Sequence, residues 1–163
     1  MEVKDREEAL AIVKENGGLL EYLDFKYRSD REIVLEAVKS SGMALEFAYP
    51  VLQEDKEIAL EALKHGDVEP FIFIGNGLKR EDSFLKEVYE ICGEDFIKTF
   101  PEYKPLIEKI LKAELETLKK DAVAKEDESK ELDGKIKEKV KNIERVGKGI
   151  KENTNDKSGP DGH

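Results

Sequence analysis

A segment of about ten residues recurs in this chain at a constant spacing of 25 residues. Three copies begin at Asp5, Asp30 and Asp55 and read D-R-E-E-A-L-A-I-V-K, D-R-E-I-V-L-E-A-V-K and D-K-E-I-A-L-E-A-L-K. A fourth, more divergent copy begins at Glu81, 26 residues after the third. A period of this length is typical of folds that stack small helical units, because one such unit cannot bury its own apolar face.

Each copy has the pattern of an amphipathic helix, a turn and a second helix. The opening aspartate, or Ser29 with Glu32 at capping-box spacing, is expected to cap the first helix. A glycine twelve residues after the start of copies one, two and four is expected to end that helix in the left-handed conformation, and in copy three Gly66 comes one residue early. A second, shorter helix is expected over residues 43–48, ended by Pro50.

These patterns predict an all-α chain that opens with a short helical-repeat domain of the α-solenoid type, over residues 1–118. Its four helix-turn-helix units are expected near residues 5–29, 30–54, 55–80 and 81–104. A helix over residues 105–118, with Pro105 in its first turn, is expected to cap the stack.

The remainder of the chain is predicted to be a charged tail, partly helical and partly disordered. Residues 119–134 are a charged linker or a helix extension, with a break expected near Asp133-Gly134. Residues 135–151 carry seven bases against two acids and are expected to form a basic amphipathic helix. Residues 152–163 are expected to be disordered.

Acidic and basic residues are unevenly distributed. The chain has a net charge of −10, but residues 1–103 alone carry 24 acids against 13 bases and all twelve aromatic residues. A domain of this charge is a poor binder of nucleic acid, whose phosphates must be neutralised by Lys and Arg. No apolar run is long enough to span a bilayer, and the acidic N-terminus does not resemble a signal peptide. With Cys92 as its one cysteine, the chain is expected in the cytoplasm.

The pattern of ionisable residues predicts no catalytic residue, metal ligand or cofactor. Glu32 with Glu36, and Glu57 with Glu61, are i,i+4 carboxylate pairs, but they recur with the repeat and are interpreted as a solvated acidic ridge. His65 follows a helix end and is interpreted as a partner of the helix dipole.

One further segment, F-I-F-I-G-N-G-L-K-R over residues 71–80, superficially resembles a strand that leads into a nucleotide-binding loop. Arg80 stands where the third glycine of such a loop would be, so Gly75 and Gly77 are interpreted as a turn between helices. The four adjacent apolar residues cannot all face one side of a helix. Filling a gap between units is the favoured interpretation, and partial exposure is the alternative.

The segment A-V-K-S-S-G-M-A-L-E-F-A-Y-P-V-L-Q-E-D-K-E-I-A-L-E-A-L-K resembles the DUF4116 repeat, a helical module of unassigned function. The resemblance extends over roughly residues 5–103 and is strongest over residues 30–65. It weakens at Pro70 and Gly75 in the third copy and at Lys86 in the fourth. The resemblance implies a helical-repeat fold and no catalytic motif.

The leading functional hypothesis is a non-enzymatic module that binds another protein through the second helices and inter-repeat turns. The residues expected on this surface are Tyr22, Phe47, Tyr49, Phe71 and Phe73. One alternative is an acidic mimic of nucleic acid that blocks a basic protein. Another is peripheral attachment to a membrane, or to a partner, through the basic helix. The residues assigned to that helix surface are Ile136, Val140, Ile143, Ile150, Lys137, Lys141 and Arg145.

Overall fold

The computed structural model describes residues 3–124 and 129–148, and it confirms the all-α prediction. No strand occurs in these two ranges. The chain divides into two compact units, Met1–Phe96 and Ile97–His163. The α-helices are α1 Arg6–Glu15, α2 Phe25–Arg28, α3 Arg31–Ser40, α4 Pro50–Gln53, α5 Lys56–Leu63, α6 Asp82–Cys92, α7 Glu94–Thr99, α8 Lys104–Ala124 and α9 Ser129–Lys148. The 3₁₀ helices are η1 Gly17–Tyr22, η2 Gly42–Phe47, η3 Glu69–Phe73, η4 Leu78–Arg80 and η5 Pro101–Tyr103.

Three consecutive segments of the first unit share one order of elements: an α-helix, a 3₁₀ helix and a further short helix. The prediction of two helices per unit was therefore incomplete. Residues 42–47 form η2, and Pro50 begins α4 instead of ending a helix. Proline suits that position because its fixed φ fits the first helical turn, where its missing N–H would have no acceptor.

The opening aspartates cap the long helices, as expected. Asp30 Oδ1 accepts hydrogen bonds from the N–H groups of Glu32 and Ile33, at 3.0 and 3.2 Å. Asp55 makes the equivalent pair of bonds at the start of α5. The capping box proposed for Ser29 was wrong, because its hydroxyl instead donates to the carbonyl of Phe25 at 2.8 Å.

The recurrent glycines have a different role from the one predicted. Positive φ occurs at Gly66 and Gly93 among the described glycines, so the left-handed helix end is wrong for Gly17 and Gly42. At those two positions helices α1 and α3 end at an extended residue, and the glycine begins the next 3₁₀ helix. A Cβ on Gly42 would overlap the carbonyl oxygen of Ala62 in α5. Glycine is therefore required because consecutive segments approach each other closely.

The third segment contains one extra residue before its 3₁₀ helix. The buried residues Leu20 and Leu45 lie 25 positions apart in η1 and η2, and the equivalent position in η3 is Phe71, 26 positions further on. The carbonyl oxygens of Leu20, Leu45 and Phe71 each accept a hydrogen bond from the N–H group three residues later, at Leu23, Ala48 and Ile74. The insertion coincides with Gly66, whose φ of 88° forms a turn that other residues rarely adopt.

Apolar side chains from all of these elements form the core of the first unit. The helices α3, α5 and α6 each contribute two adjacent pairs of buried residues at helical spacing, and η1 to η4 contribute one large buried side chain each. Its largest fully buried side chains are Val13, Leu20, Ile33, Leu45, Ile58, Leu63, Phe71, Ile74, Phe84, Leu85 and Phe96.

Helices α8 and α9 of the second unit pack against each other. Lys139 of α9 forms an ion pair with Glu114 of α8, and each residue lies ten positions from the connection between Ala124 and Ser129. The helices are therefore antiparallel. The predicted break at Asp133-Gly134 was wrong, because both residues lie inside α9. Packing along α8 offsets the roughly 1 kcal/mol that a helical glycine costs.

Candidate functional site

A row of ion pairs connects the first turns of α1, α3 and α5. Arg6 donates from Nε to Asp30 Oδ2 at 2.7 Å, and from Nη2 to Asp30 Oδ1 at 3.1 Å and Glu32 Oε2 at 2.5 Å. The same three contacts recur at 2.8, 3.2 and 2.5 Å from Arg31 to Asp55 and Glu57. Much of the acidic ridge is thus neutralised by the preceding segment of the chain.

The third step of this row differs from the first two. Lys56 occupies the position of Arg6 and Arg31, but its ammonium donates to Glu87 at 2.6 Å. The fourth copy has Ser83 where the earlier copies have a glutamate, so it offers no equivalent pair of acceptors. Exposed ion pairs of this kind each contribute little to stability, but their fixed geometry favours one register between segments.

The remaining glutamates of the i,i+4 pairs bind separate cations. Glu36 accepts from Lys39 Nζ at 2.7 Å, and Glu61 accepts from Lys64 Nζ at 2.5 Å. The members of each pair therefore point to different partners. Within residues 3–124 and 129–148, no group of three or more His, Cys, Asp or Glu side chains could hold a metal ion.

Acid is expected to weaken the first unit through these caps. The hydrogen bond from Arg6, with those from two backbone N–H groups, lowers the pKa of Asp30 despite an opposing effect of burial. Burial also raises the pKa of Asp55, but the bonds from Arg31 and the backbone outweigh it and lower the pKa overall. Because both pKa values are lower in the folded state, their stabilisation is present above the unfolded value of about 3.9 and is lost as pH falls through the folded values.

The double variant Asp30→Asn/Asp55→Asn tests this linkage, because asparagine keeps a capping oxygen but does not titrate. Urea denaturation between pH 6 and about pH 2.5 should show a shallower loss of unfolding free energy for the variant than for the unchanged chain. Parallel pH curves for the two proteins would contradict the assignment.

The loop that contains Gly75 and Gly77 binds a side chain of the protein itself. The carboxylate of Glu54 accepts hydrogen bonds from the N–H groups of Gly77, at 3.0 Å, and Leu78, at 3.1 Å. A Cβ on Gly75 would overlap this carboxylate. The glycines therefore allow the loop to fold around Glu54, which agrees with the interpretation of the segment as a turn.

Large apolar side chains are exposed in the 3₁₀ helices η1 and η3, in the short helices α2 and α4, and at the residue before α4. Because η1 packs on η2 and η2 on η3, the ends of these elements lie in order along the first unit. We call the exposed set the apolar row. Its members, with their exposed fractions, are Tyr22 57%, Phe25 57%, Tyr49 43%, Val51 64% and Ile72 59%. The rings of Phe25 and Tyr49 meet edge to face with centroids 4.9 Å apart, which links the first two segments.

The structure corrects the set of residues expected on this surface. Tyr22 and Tyr49 are exposed, and Phe47 and Phe73 are half-buried. Phe71 is 1% exposed and packs edge to face against Phe96 with centroids 4.8 Å apart, so it is a core residue. The segment from Phe71 to Ile74 thus combines both interpretations, because its first and last residues are buried and Ile72 is exposed.

Three members of the apolar row were not identified from the sequence. Phe25, Val51 and Ile72 were missed because the short helices α2 and α4 and the inserted residue were not foreseen. The proline that opens α4 was the available signal for a further helix, since proline favours a first helical position as well as ending helices.

The buried face of the basic helix α9 overlaps the predicted one at Ile136 and Ile143 but is rotated relative to it. Ile136 and Ile143 are half-buried, Val140 is 37% exposed, and Val146, which was not predicted, is completely buried. The side chain of Lys139 is 16% exposed, and it faces Glu114 in α8. The buried stripe therefore runs along residues 136, 139, 143 and 146. Lys137, Lys141 and Arg145 are exposed, and Ile150 lies outside the described residues, as does the predicted tail 152–163.

Cys92 and His65 are the remaining candidates. Burial, with the charge of Asp95, raises the pKa of the Cys92 thiol to about 11, which disfavours the nucleophilic thiolate. His65 is an exposed residue whose Nε2 lies 3.1 Å from the carbonyl oxygen of Val38, so it bridges two segments. None of the described helices has the length and apolar character that crossing a membrane requires.

Comparison with known proteins identifies one family. The family model of DUF4116, a domain of unknown function, matches residues 5–53 and residues 30–79 in two overlapping copies. The fourth copy, from Glu81, lies outside the matched residues. No curated protein and no solved structure matches the chain significantly. The two matches coincide with the segments whose caps, ion pairs and close glycine contacts recur, and over residues 5–79 this chain is similar to the DUF4116 family.

Proposed function

We propose that this chain is a non-enzymatic helical-repeat module that binds another protein through the apolar row. The observation that carries the proposal is the exposure of five large apolar side chains in three consecutive segments of one compact unit. Exposed apolar groups of this size cost free energy in water, and a partner that covers them recovers it. Cys92 as the one cysteine suits a cytoplasmic location.

The pair Phe25 and Tyr49 is the best candidate for the centre of the interface. Aromatic residues are enriched among the side chains that contribute most to binding, since they bury a large area at a small cost in conformational entropy. The edge-to-face contact already restricts both rings before a partner binds. A partner therefore pays less to order them than it would for isolated side chains.

The two alternatives have less support. A mimic of nucleic acid needs unpaired acidic groups, but Asp30, Glu32, Asp55 and Glu57 are paired with arginines. A membrane-bound helix needs a free apolar face, but Ile136 and Ile143 on α9 are half-buried in the unit where α9 packs on α8. A complex with the partner that survives added salt would exclude the mimic of nucleic acid. Equal recovery of the protein in the supernatant with and without anionic vesicles would exclude the membrane-bound helix.

The double variant Phe25→Ala/Tyr49→Ala tests the proposal. With the full chain as bait in quantitative affinity capture from the native host, we expect at least a tenfold loss of the captured partner, because truncation of two central aromatic residues commonly costs 2 kcal/mol or more. Ile91→Ala is the matched control, since Ile91 is 38% exposed but lies on α6, outside the row. Thermal melts should show all three proteins folded.

Equal recovery of every partner by the double variant and by the unchanged chain would refute the proposal. Equal losses in the double variant and in Ile91→Ala would also count against it, because the effect would then not be specific to the row.

A further inference from the structure

One depression of the first unit combines unpaired cations with a buried hydroxyl group. It has a volume of about 310 Å³. Its lining residues are Lys4, Asp5, Arg6, Lys26, Tyr27 and Asp30.

Tyr27 is the unusual residue in this depression. It is 4% exposed, and its hydroxyl oxygen is buried without a hydrogen-bond partner among the residues that the structure describes. The equivalent positions of the next two segments are the buried residues Leu52 and Leu78, so the fold needs only an apolar side chain here. A buried hydroxyl without a partner is costly, and a ligand that bonds to it would remove that cost.

The cations around Tyr27 are also available. Lys26 Nζ lies 4.6 Å from the centroid of the Tyr27 ring, and neither Lys26 nor Lys4 has a carboxylate partner for its ammonium group in the described part of the chain. Arg6 is different, because its guanidinium is bound to Asp30 and so offsets that carboxylate. The lining as a whole carries one positive charge in excess, within a strongly acidic unit.

The first turn of α1 adds a backbone donor to this region. Asp5 caps the N–H of Glu8 at 2.9 Å, whereas Asp30 caps two N–H groups in α3. The N–H of Glu7, which corresponds to that of Glu32, has no side-chain cap from any described residue. The positive end of the helix dipole is thus less fully compensated at α1 than at α3, although Asp5 still opposes part of it.

We propose that this depression binds a phosphate group, with Tyr27 Oη as a hydrogen-bond donor and the ammonium groups of Lys4 and Lys26 as charge partners. Phosphate fits better than a carboxylate because its larger charge and additional oxygens can engage two cations and a hydroxyl together. The site lies next to the apolar row through Phe25, the first residue of α2, but the proposal does not depend on the row.

The first test measures stability with the variant Tyr27→Phe, which keeps the ring and removes only the hydroxyl. In phosphate-free buffer the variant should melt at the same temperature as the unchanged chain or higher, because it removes an unpaired buried polar group. Added inorganic phosphate, at constant ionic strength, should raise the melting temperature of the unchanged chain more than that of the variant. A variant that melts lower without phosphate would show that the hydroxyl already has a partner and would overturn the proposal.

The second test measures binding directly with inorganic phosphate. Titration at constant ionic strength, followed by amide NMR signals, should give saturable shifts at Glu7, Lys26 and Tyr27 in the millimolar range. Lys26→Gln and Tyr27→Phe should each weaken the affinity at least fivefold, whereas Lys109→Gln, an equal change of charge at an exposed residue of α8, should leave it unchanged.

Two results of the titration would overturn the proposal. Shifts that do not saturate, or that weaken equally in Lys109→Gln, would indicate non-specific screening of charge. Acetate is expected to bind at least threefold more weakly than phosphate, and equal affinity for acetate would contradict the assignment to a phosphate group.

Discussion

Replacing Gly42 by alanine is expected to lower the free energy of unfolding of the first unit by about 3 kcal/mol. A Cβ at this position would overlap the carbonyl oxygen of Ala62 and lie 3.1 Å from its carbonyl carbon. These atoms belong to the backbone of α5, so they cannot rotate away as the end of a side chain would. Either η2 or α5 must move, and both are packed into the core through fully buried residues such as Leu45 and Ile58.

The same result is expected for Gly17→Ala, because a Cβ on Gly17 would overlap the carbonyl oxygen of Ala37 in α3, the α-helix of the next segment. Urea denaturation followed by circular dichroism measures both effects, and for a domain of this size the melting temperature should fall by more than about 10 °C. Gly134→Ala is the matched control, because nothing lies within 4 Å of its added Cβ in α9, and a gain of about 0.5–1 kcal/mol is expected there.

A loss below about 0.5 kcal/mol for both Gly42→Ala and Gly17→Ala would contradict the close approach. A loss for Gly134→Ala as large as theirs would also contradict it, because the effect would then come from the change of residue and not from its surroundings.

The recurrence of the glycines could be read from the sequence, but the reason for it could not. A glycine after a helical pattern is most often a left-handed helix end, and at Gly93, with φ of 61°, the conformation does have positive φ. At Gly17 and Gly42 the requirement comes from the next segment of the chain. A local pattern contains no information on which backbone atoms of a distant residue approach that position.

The caps and the helical period were predictable for the opposite reason, namely that they depend on residues a few positions apart. Asp30 and Asp55 cap the helices that the pattern assigned to them. The ion pairs of Arg6 and Arg31 were not predicted, although their 24-residue and 26-residue separations bracket the period of 25. A constant period itself implies that each residue lies beside its equivalents, and this signal could have paired the arginine of one copy with the acids of the next.

The exposed surface was only partly predictable, because exposure depends on register. The aromatic residues Tyr22, within the second helical pattern of the first copy, and Tyr49, directly after that of the second, were expected at the surface and are exposed. In the third segment one inserted residue near Gly66 shifts the register, so that Phe71 takes the buried position of Leu45. In a 3₁₀ helix a shift of one residue changes which side chain faces the core. Four adjacent apolar residues in the sequence do not show which of them is buried.

This register makes a strong prediction for two neighbouring residues. Phe71→Ala is expected to lower the free energy of unfolding by about 4 kcal/mol, because it removes a ring that is 1% exposed and leaves a cavity beside Phe96. Lys79 would lose a contact as well, since its Nζ lies 5.0 Å from the centroid of the Phe71 ring. Ile72→Ala, with a side chain that is 59% exposed, should change stability by less than about 0.5 kcal/mol.

The loss of captured partner, expressed per folded molecule, should show the reverse order: it should be larger for Ile72→Ala than for Phe71→Ala. Ile72→Ala should reduce recovery while the chain stays fully folded, because Ile72 belongs to the apolar row. Phe71→Leu, which refills most of the cavity, should restore both stability and recovery towards the unchanged chain. If Phe71→Ala left the unfolding free energy unchanged but abolished capture, Phe71 would be a surface residue, and the register of the third segment would have to be that of an uninterrupted 25-residue repeat.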